Sequence, residues 1–167
     1  MASKSSNTVR MGETEFFELQ KGVTYTSPHF NGCLGSVIVG KLNNKWSLIM
    51  GHYACHEASI ADTMDTSLLA GHLDKCPIGN KGAAVNKIPQ LWEPKQHFFS
   101  TDRQAFVYRP EKTGHEDMVD KLSEIIKDTT GLSPKEKDYT EKTAQDGNAA
   151  ISVKVNMLNH IKIKFAK

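Results

Sequence analysis

Cysteine is scarce in this chain and odd in number: Cys33, Cys55 and Cys76 are all it has. An odd count argues against a disulfide framework and suits a reducing compartment. Long apolar runs are missing too. None approaches the roughly 20 residues a membrane-spanning helix needs. The opening Met-Ala-Ser-Lys-Ser-Ser-Asn lacks the hydrophobic stretch of a secretory signal. Neither sign of charge dominates, and a net charge of +2 is too small to argue for nucleic acid. The lysines that crowd the end of the chain, Lys154, Lys162, Lys164 and Lys167, read as the wet side of edge strands. There is no internal repeat and no low-complexity tract. What remains is a 167-residue chain, 38% apolar and 24% charged, long enough to bury a core without disulfides.

Taken in order, residues 1–12 are small and polar and are expected to be a flexible N-terminus, with residues 13–167 as a single domain. Glu15 to Leu19 suits a short strand or helical turn. Thr24 to Thr26 has strand chemistry, and Ser27-Pro28 is expected to turn the chain. Between Gly71 and Pro94, glycines and prolines suggest loop with short elements, including a strand over Ala83 to Ile88. Ala105 to Tyr108 reads as a strand. The clearest helix follows. Thr113 and Glu116 match a capping box, Met118, Leu122, Ile125, Ile126 and Thr129 share one face, and Gly131 stops it. Residues 133–148 read as a charged surface loop. Ile151 to Val155 and Ile161 to Phe165 close the chain as a hairpin. The sum is an α+β fold: a mixed, mostly antiparallel, sandwich-like sheet with one main amphipathic helix packed on it.

The organising stretch is Val23 to Tyr53. A small-residue turn, Asn31-Gly32, delivers Cys33. The β-branched run Val37-Ile38-Val39 follows, an Asn43-Asn44 turn reverses the chain, and Trp46 to Met50 carries it back to His52. Such a hairpin brings an imidazole back to a thiol. A cysteine attacks as thiolate, and an imidazole within reach takes its proton. A third group must then fix which ring nitrogen faces the sulfur. Ser27, Thr26 or a backbone carbonyl can serve. Backbone N–H groups around Gly32, Asn31 and Leu34 suit a developing oxyanion, and His29 suits the substrate entrance.

Asn31-Gly32-Cys33, then Ser36 to Gly40, then Ile49-Met50-Gly51-His52 resemble the catalytic hairpin of a glutamine deamidase group. Its members include cytotoxic necrotizing factor, chemoreceptor glutamine deamidase and Burkholderia lethal factor. The run Thr101 to Arg109 is similar to one downstream of the hairpin in the lethal factor, and it brings Asp102 and Gln104 forward as pocket-shaping residues. Asn31 stands where the group usually has Ser. The resemblance implies one catalytic domain that converts a glutamine on a target protein to glutamate through a Cys33 thioester, with His52 as base and Ser27 or Thr26 upstream. An amine in place of water would give transglutamination. The resemblance also implies an exported bacterial toxin or effector working in a host or target-cell cytosol. Its substrate would be a protein such as a host GTPase or translation factor. No cofactor, nucleic acid or membrane is expected, and the chain is expected to be monomeric.

Two readings compete. Cys55, His56, His72 and Cys76 are ligand types that zinc accepts, although their spacing matches no common zinc pattern. A non-catalytic module that meets a partner through exposed strands and the C-terminal lysines is the other.

Overall fold

A computed structural model describes residues 6–30, 32–53, 87–110, 116–139 and 149–166. Among these residues there are eight strands and two α-helices, in an α+β arrangement of two mostly antiparallel sheets. The strands are β1 (Thr14–Glu18), β2 (Thr24–Phe30), β3 (Leu34–Leu42), β4 (Lys45–Tyr53), β5 (Thr101–Pro110), β6 (Lys135–Tyr139), β7 (Ala149–Val155) and β8 (Ile161–Ala166). The helices are α1 (Lys87–Lys95) and α2 (Glu116–Thr130). The five-stranded sheet has the order β1-β4-β3-β5-β6, and the three-stranded sheet β2-β7-β8.

The long hairpin β3–β4 is the middle of the molecule, and its composition explains why. Residues Leu34 to Gly40 are all buried, because both faces of the sheet are covered. Such strands read as continuous apolar runs rather than alternating ones. Leu34, Ile38, Ile49 and Tyr53 meet the helices through Ile88, Trp92, Met118, Leu122 and Ile126. Cys33, Val37, Val39, Leu48 and Met50 face the smaller sheet through Tyr25, Phe30, Ile151 and Val153. The layers therefore run small sheet, large sheet, helices. The hairpin closes where Asn43 and Asn44 take φ of 50° and 66°, values that Asn tolerates better than most residues.

Four local expectations are corrected. The N-terminal segment is not frayed over its described residues. Val9 is fully buried, Val9 N–H donates to Thr26 (2.8 Å) and Thr26 N–H to Asn7 (2.9 Å). A single apolar side chain and free backbone groups beside β2 are enough to dock it. Ser27-Pro28 does not end β2; the strand runs on to Phe30 through a register shift, with His29 at φ 66°. Of the strand expected over Ala83 to Ile88, residues 83–86 lie outside the described residues, while Ile88 belongs to α1, with Pro89 accommodated in the helix's first turn. Lys135–Tyr139 is a strand, pairing parallel with β5, and not a loop.

The apolar face and the stop of the main helix stand as read: Met118, Leu122 and Ile126 are buried, and Gly131 (φ 77°) closes it with an N–H bond to Lys127. Thr113 of the expected capping box lies outside the described residues. Among the described residues, no helix is long and apolar enough to cross a membrane.

Candidate active site

The hairpin register pairs Gly35 with His52. Cys33 lies just before β3, two positions along on the same face, and packs among the residues between the sheets. The Cys33 side chain is 4% exposed and His52 is fully buried. Both therefore share the inter-sheet space at one end of the sandwich.

Three contacts define the imidazole. Its ring lies flat against Phe30, with centroids 3.8 Å apart and planes 11° from parallel. Its Nδ1 is 3.0 Å from the Ser27 hydroxyl. That hydroxyl also lies 2.7 Å from the Val9 carbonyl. A carbonyl can only accept, so the single Ser27 proton goes to Val9. Ser27 Oγ is left to accept, and Nδ1 must carry the ring proton. Nε2 then holds the lone pair. Among the described residues Nε2 is buried with no hydrogen-bond partner. The backbone of His52 is held by the N-terminal segment: Gly12 N–H donates to its carbonyl (2.8 Å), and its own N–H to Glu13 (3.1 Å).

Burial, and secondarily the charge of His29 nearby, lowers the His52 pKa from 6.5 to about 4. Desolvation penalises the charged ring. At neutral pH the imidazole is an uncharged base.

Around the thiol, Sγ of Cys33 is 4.0 Å from Sδ of Met11, itself 52% exposed. Among the described residues, Met11 is a partly exposed neighbour of the sulfur. Gly32 takes φ 81°, and a Cβ there would meet nothing within 4 Å, so the turn that sets Cys33 is open on its outer side. The Tyr139 hydroxyl donates to the Cys33 carbonyl at 2.6 Å. Tyr139 is buried and stacked on Phe165 at 4.6 Å. Burial first, and then the nearby Cys33, pushes its pKa well above 10, while hydrogen bonds from the Gly32 and Cys33 backbones oppose the rise.

The expected residues divide accordingly. Ser27 and His52 are in direct contact. Cys33, next to Gly32, packs in the same inter-sheet cluster, but its sulfur is not a hydrogen-bond partner of His52 Nε2. Thr26 does not join them, because it faces away from Ser27 on an alternating strand and is only half-buried. Leu34 turns its side chain to the helices and offers only backbone. His29 is exposed beside the site. Asp102 is away from it, at the other end of β5, and pairs with Lys41 at 3.2 Å. Gln104 pairs across β5 with Val39, also remote from Cys33. Asn31, and the zinc set Cys55, His56, His72 and Cys76, lie outside the described residues. Among the described residues, no cluster of three or more His, Cys, Asp or Glu side chains could hold a metal.

Val9, Met11 and Tyr139 were not anticipated. A β-branched apolar residue in a mostly polar segment is the available signal for Val9. Tyr139 stands as the one aromatic after Lys-Glu-Lys-Asp, a run with no apolar pattern to mark a strand. A scan against protein-family models and a search of curated proteins both return no match for this chain.

Proposed function

We propose that this chain is a cysteine-dependent protein-glutamine deamidase of the toxin or effector type. The observation that carries the reading is the chain of contacts from Val9 through Ser27 to His52. It puts a proton on Nδ1 and leaves the lone pair on Nε2, in a ring that lies in the inter-sheet space where Cys33 also packs. That is the arrangement a thiol nucleophile needs from its base and orienting group.

The chemistry follows from the roles. Nε2 of His52 takes the Cys33 proton. The thiolate attacks the carboxamide carbon of a glutamine side chain, and a C–S bond forms as the carbonyl π electrons move to oxygen. Oxyanion donors would come from backbone N–H groups near Cys33. Those of Gly32 and Cys33 already reach the Tyr139 hydroxyl, which holds the turn by its bond to the Cys33 carbonyl and would have to release them. The imidazolium returns its proton to the nitrogen, the C–N bond breaks, and ammonia leaves. Water, deprotonated by the same imidazole, opens the thioester to glutamate and restores the thiol. A primary amine in place of water would give a cross-linked amide. The substrate side chain has to pass Met11 to reach the sulfur, which favours an exposed glutamine on a flexible loop. The target class is protein, with regulatory GTPases and translation factors the first to try, and the place of action is a target-cell cytosol.

Intact-mass analysis tests this. Candidate proteins are incubated with the wild type, Cys33→Ser and His52→Ala. The expected result is the small mass gain of NH₂ replaced by OH, lost with Cys33→Ser and slowed by about 10²–10⁴ with His52→Ala. Equal gain with Cys33→Ser overturns the proposal.

A further inference from the structure

The outer face of the three-stranded sheet carries charge that the fold does not need. Side chains of β2, β7 and β8 alternate between the core and the outside. Tyr25, Ile151, Val153, Ile163 and Phe165 point inward. On the other face, the register sets Thr24 beside Lys154 and Lys154 opposite Lys162. Thr26, Ser152 and Lys164 form the next row, and Ala150 and Ala166 the one after.

Like charges directly opposite one another on adjacent strands destabilise a sheet. Lys154 and Lys162 are such a pair. Among the described residues none of Lys154, Lys162 and Lys164 has an acidic partner. They do not project from a flat surface either. With Thr24, Ser152 and Asn156 they line a groove of about 540 Å³. Solubility alone would be served as well by lysines placed apart. Convergence in a concavity, with hydroxyl donors between them, is the form of an anion-recognition surface.

We infer that this groove docks an acidic polypeptide segment of a partner protein. Nucleic acid fits less well. Among the described residues the lining contains no aromatic side chain on which bases could stack, and net charge is only +2. The groove also has a direction. Its lysines sit towards the β7–β8 turn. Its small-residue row, Ala150 and Ala166, adjoins the pair Ala149–Phe30, where β2 passes into the Gly32–Cys33 turn. Four residues of strand, about 13 Å, separate Lys154 from Ala150. A bound segment with carboxylates over the lysines therefore continues towards the Cys33 end of the sandwich. That the docked protein is the one modified at Cys33 rests on the deamidase reading; the groove itself does not.

Fluorescence anisotropy with a labelled 16-residue Glu/Gly peptide tests the groove directly. The comparison set is wild type, Lys154→Gln/Lys162→Gln/Lys164→Gln, and a charge-matched control, Lys121→Gln/Lys127→Gln/Lys135→Gln. A 16-nucleotide single strand is the competing probe. The expected result is binding by wild type and control, at least tenfold weaker for the groove variant, and weakened by raising salt from 50 to 300 mM. The Tm of the groove variant should stay level or rise, because the Lys154–Lys162 opposition is gone. Cys33→Ser should bind as wild type does, which keeps this result apart from the fate of the deamidase reading. Equal peptide binding by both triple variants, no peptide binding at all, or tighter binding of the DNA would overturn the inference.

Discussion

Ser27 and Thr26 carry nearly the same functional group, and only strand alternation separates them. One faces the imidazole and the other faces outward. The prediction at this scale concerns Ser27→Ala. The variant strips the partner from both the Val9 carbonyl and His52 Nδ1, two buried groups. Unfolding in urea should show a loss of about 1–3 kcal/mol. Without an acceptor at Nδ1 the ring can also carry its proton on Nε2, and in that tautomer the Cys33 thiol has no base. Iodoacetamide alkylation of Cys33 should slow at neutral pH and its pH profile should move upward. An unchanged profile would show that Ser27 is merely structural. The thiol, the imidazole and the upstream hydroxyl were legible as residue types at suggestive positions. The choice between Ser27 and Thr26 was not, because alternation gives a strand two faces without saying which is inside. Nor was Val9: its carbonyl acts through the backbone, and a backbone group leaves no mark in a list of side chains.

At the scale of elements, Gly35 shows how closely the two sheets approach beside the site. A Cβ built there would lie 2.6 Å from Ile151 Cδ1 and 2.9 Å from Phe30 Cζ. Gly35→Ala must therefore push β7 or swing Phe30 away from His52. The expected cost is about 1–3 kcal/mol, as for other overpacked cores, read as a lower urea midpoint. Loss of the Phe30 stack should appear in the His52 ring proton shifts by NMR, and unshifted signals would contradict the packing. Elements whose own pattern matched their burial were readable. The β3–β4 hairpin had a β-branched run and an Asn-Asn turn. Helix α2 had a one-sided apolar stripe, and β8 alternated isoleucine with lysine. Elements set by their neighbours were not. Lys135–Tyr139 becomes a strand because β5 presents an edge for parallel pairing, and four exposed charged residues in a row give no hint of that. Two prolines disguised α1, although one sits in the first turn and the other beside the last residue.

At the scale of the whole molecule, burying an imidazole between two sheets ties stability to pH. His52 has its pKa lowered to about 4 by burial, against 6.5 for the open chain. Between these values the unfolded chain takes up a proton that the folded chain refuses. Stability from this group is complete above pH 6.5 and is lost as pH falls towards 4, by about 3 kcal/mol in all. Urea unfolding at steps from pH 7 to pH 4.5 should show that slope. In His52→Gln the slope over this window should be shallower, whatever the variant's absolute stability; an identical slope would place the titration elsewhere. The order of residues alone determined the fold class, the central hairpin and the main helix. Each of these depends on periodicities that a chain carries locally, 2.0 for strands and 3.6 for helices. Only the folded chain decided that a polar leader docks on β2, that Tyr139 reaches Cys33, and that Ser27 rather than Thr26 meets the ring. Those contacts join residues far apart in sequence, and their energy comes from filling one particular space between two sheets.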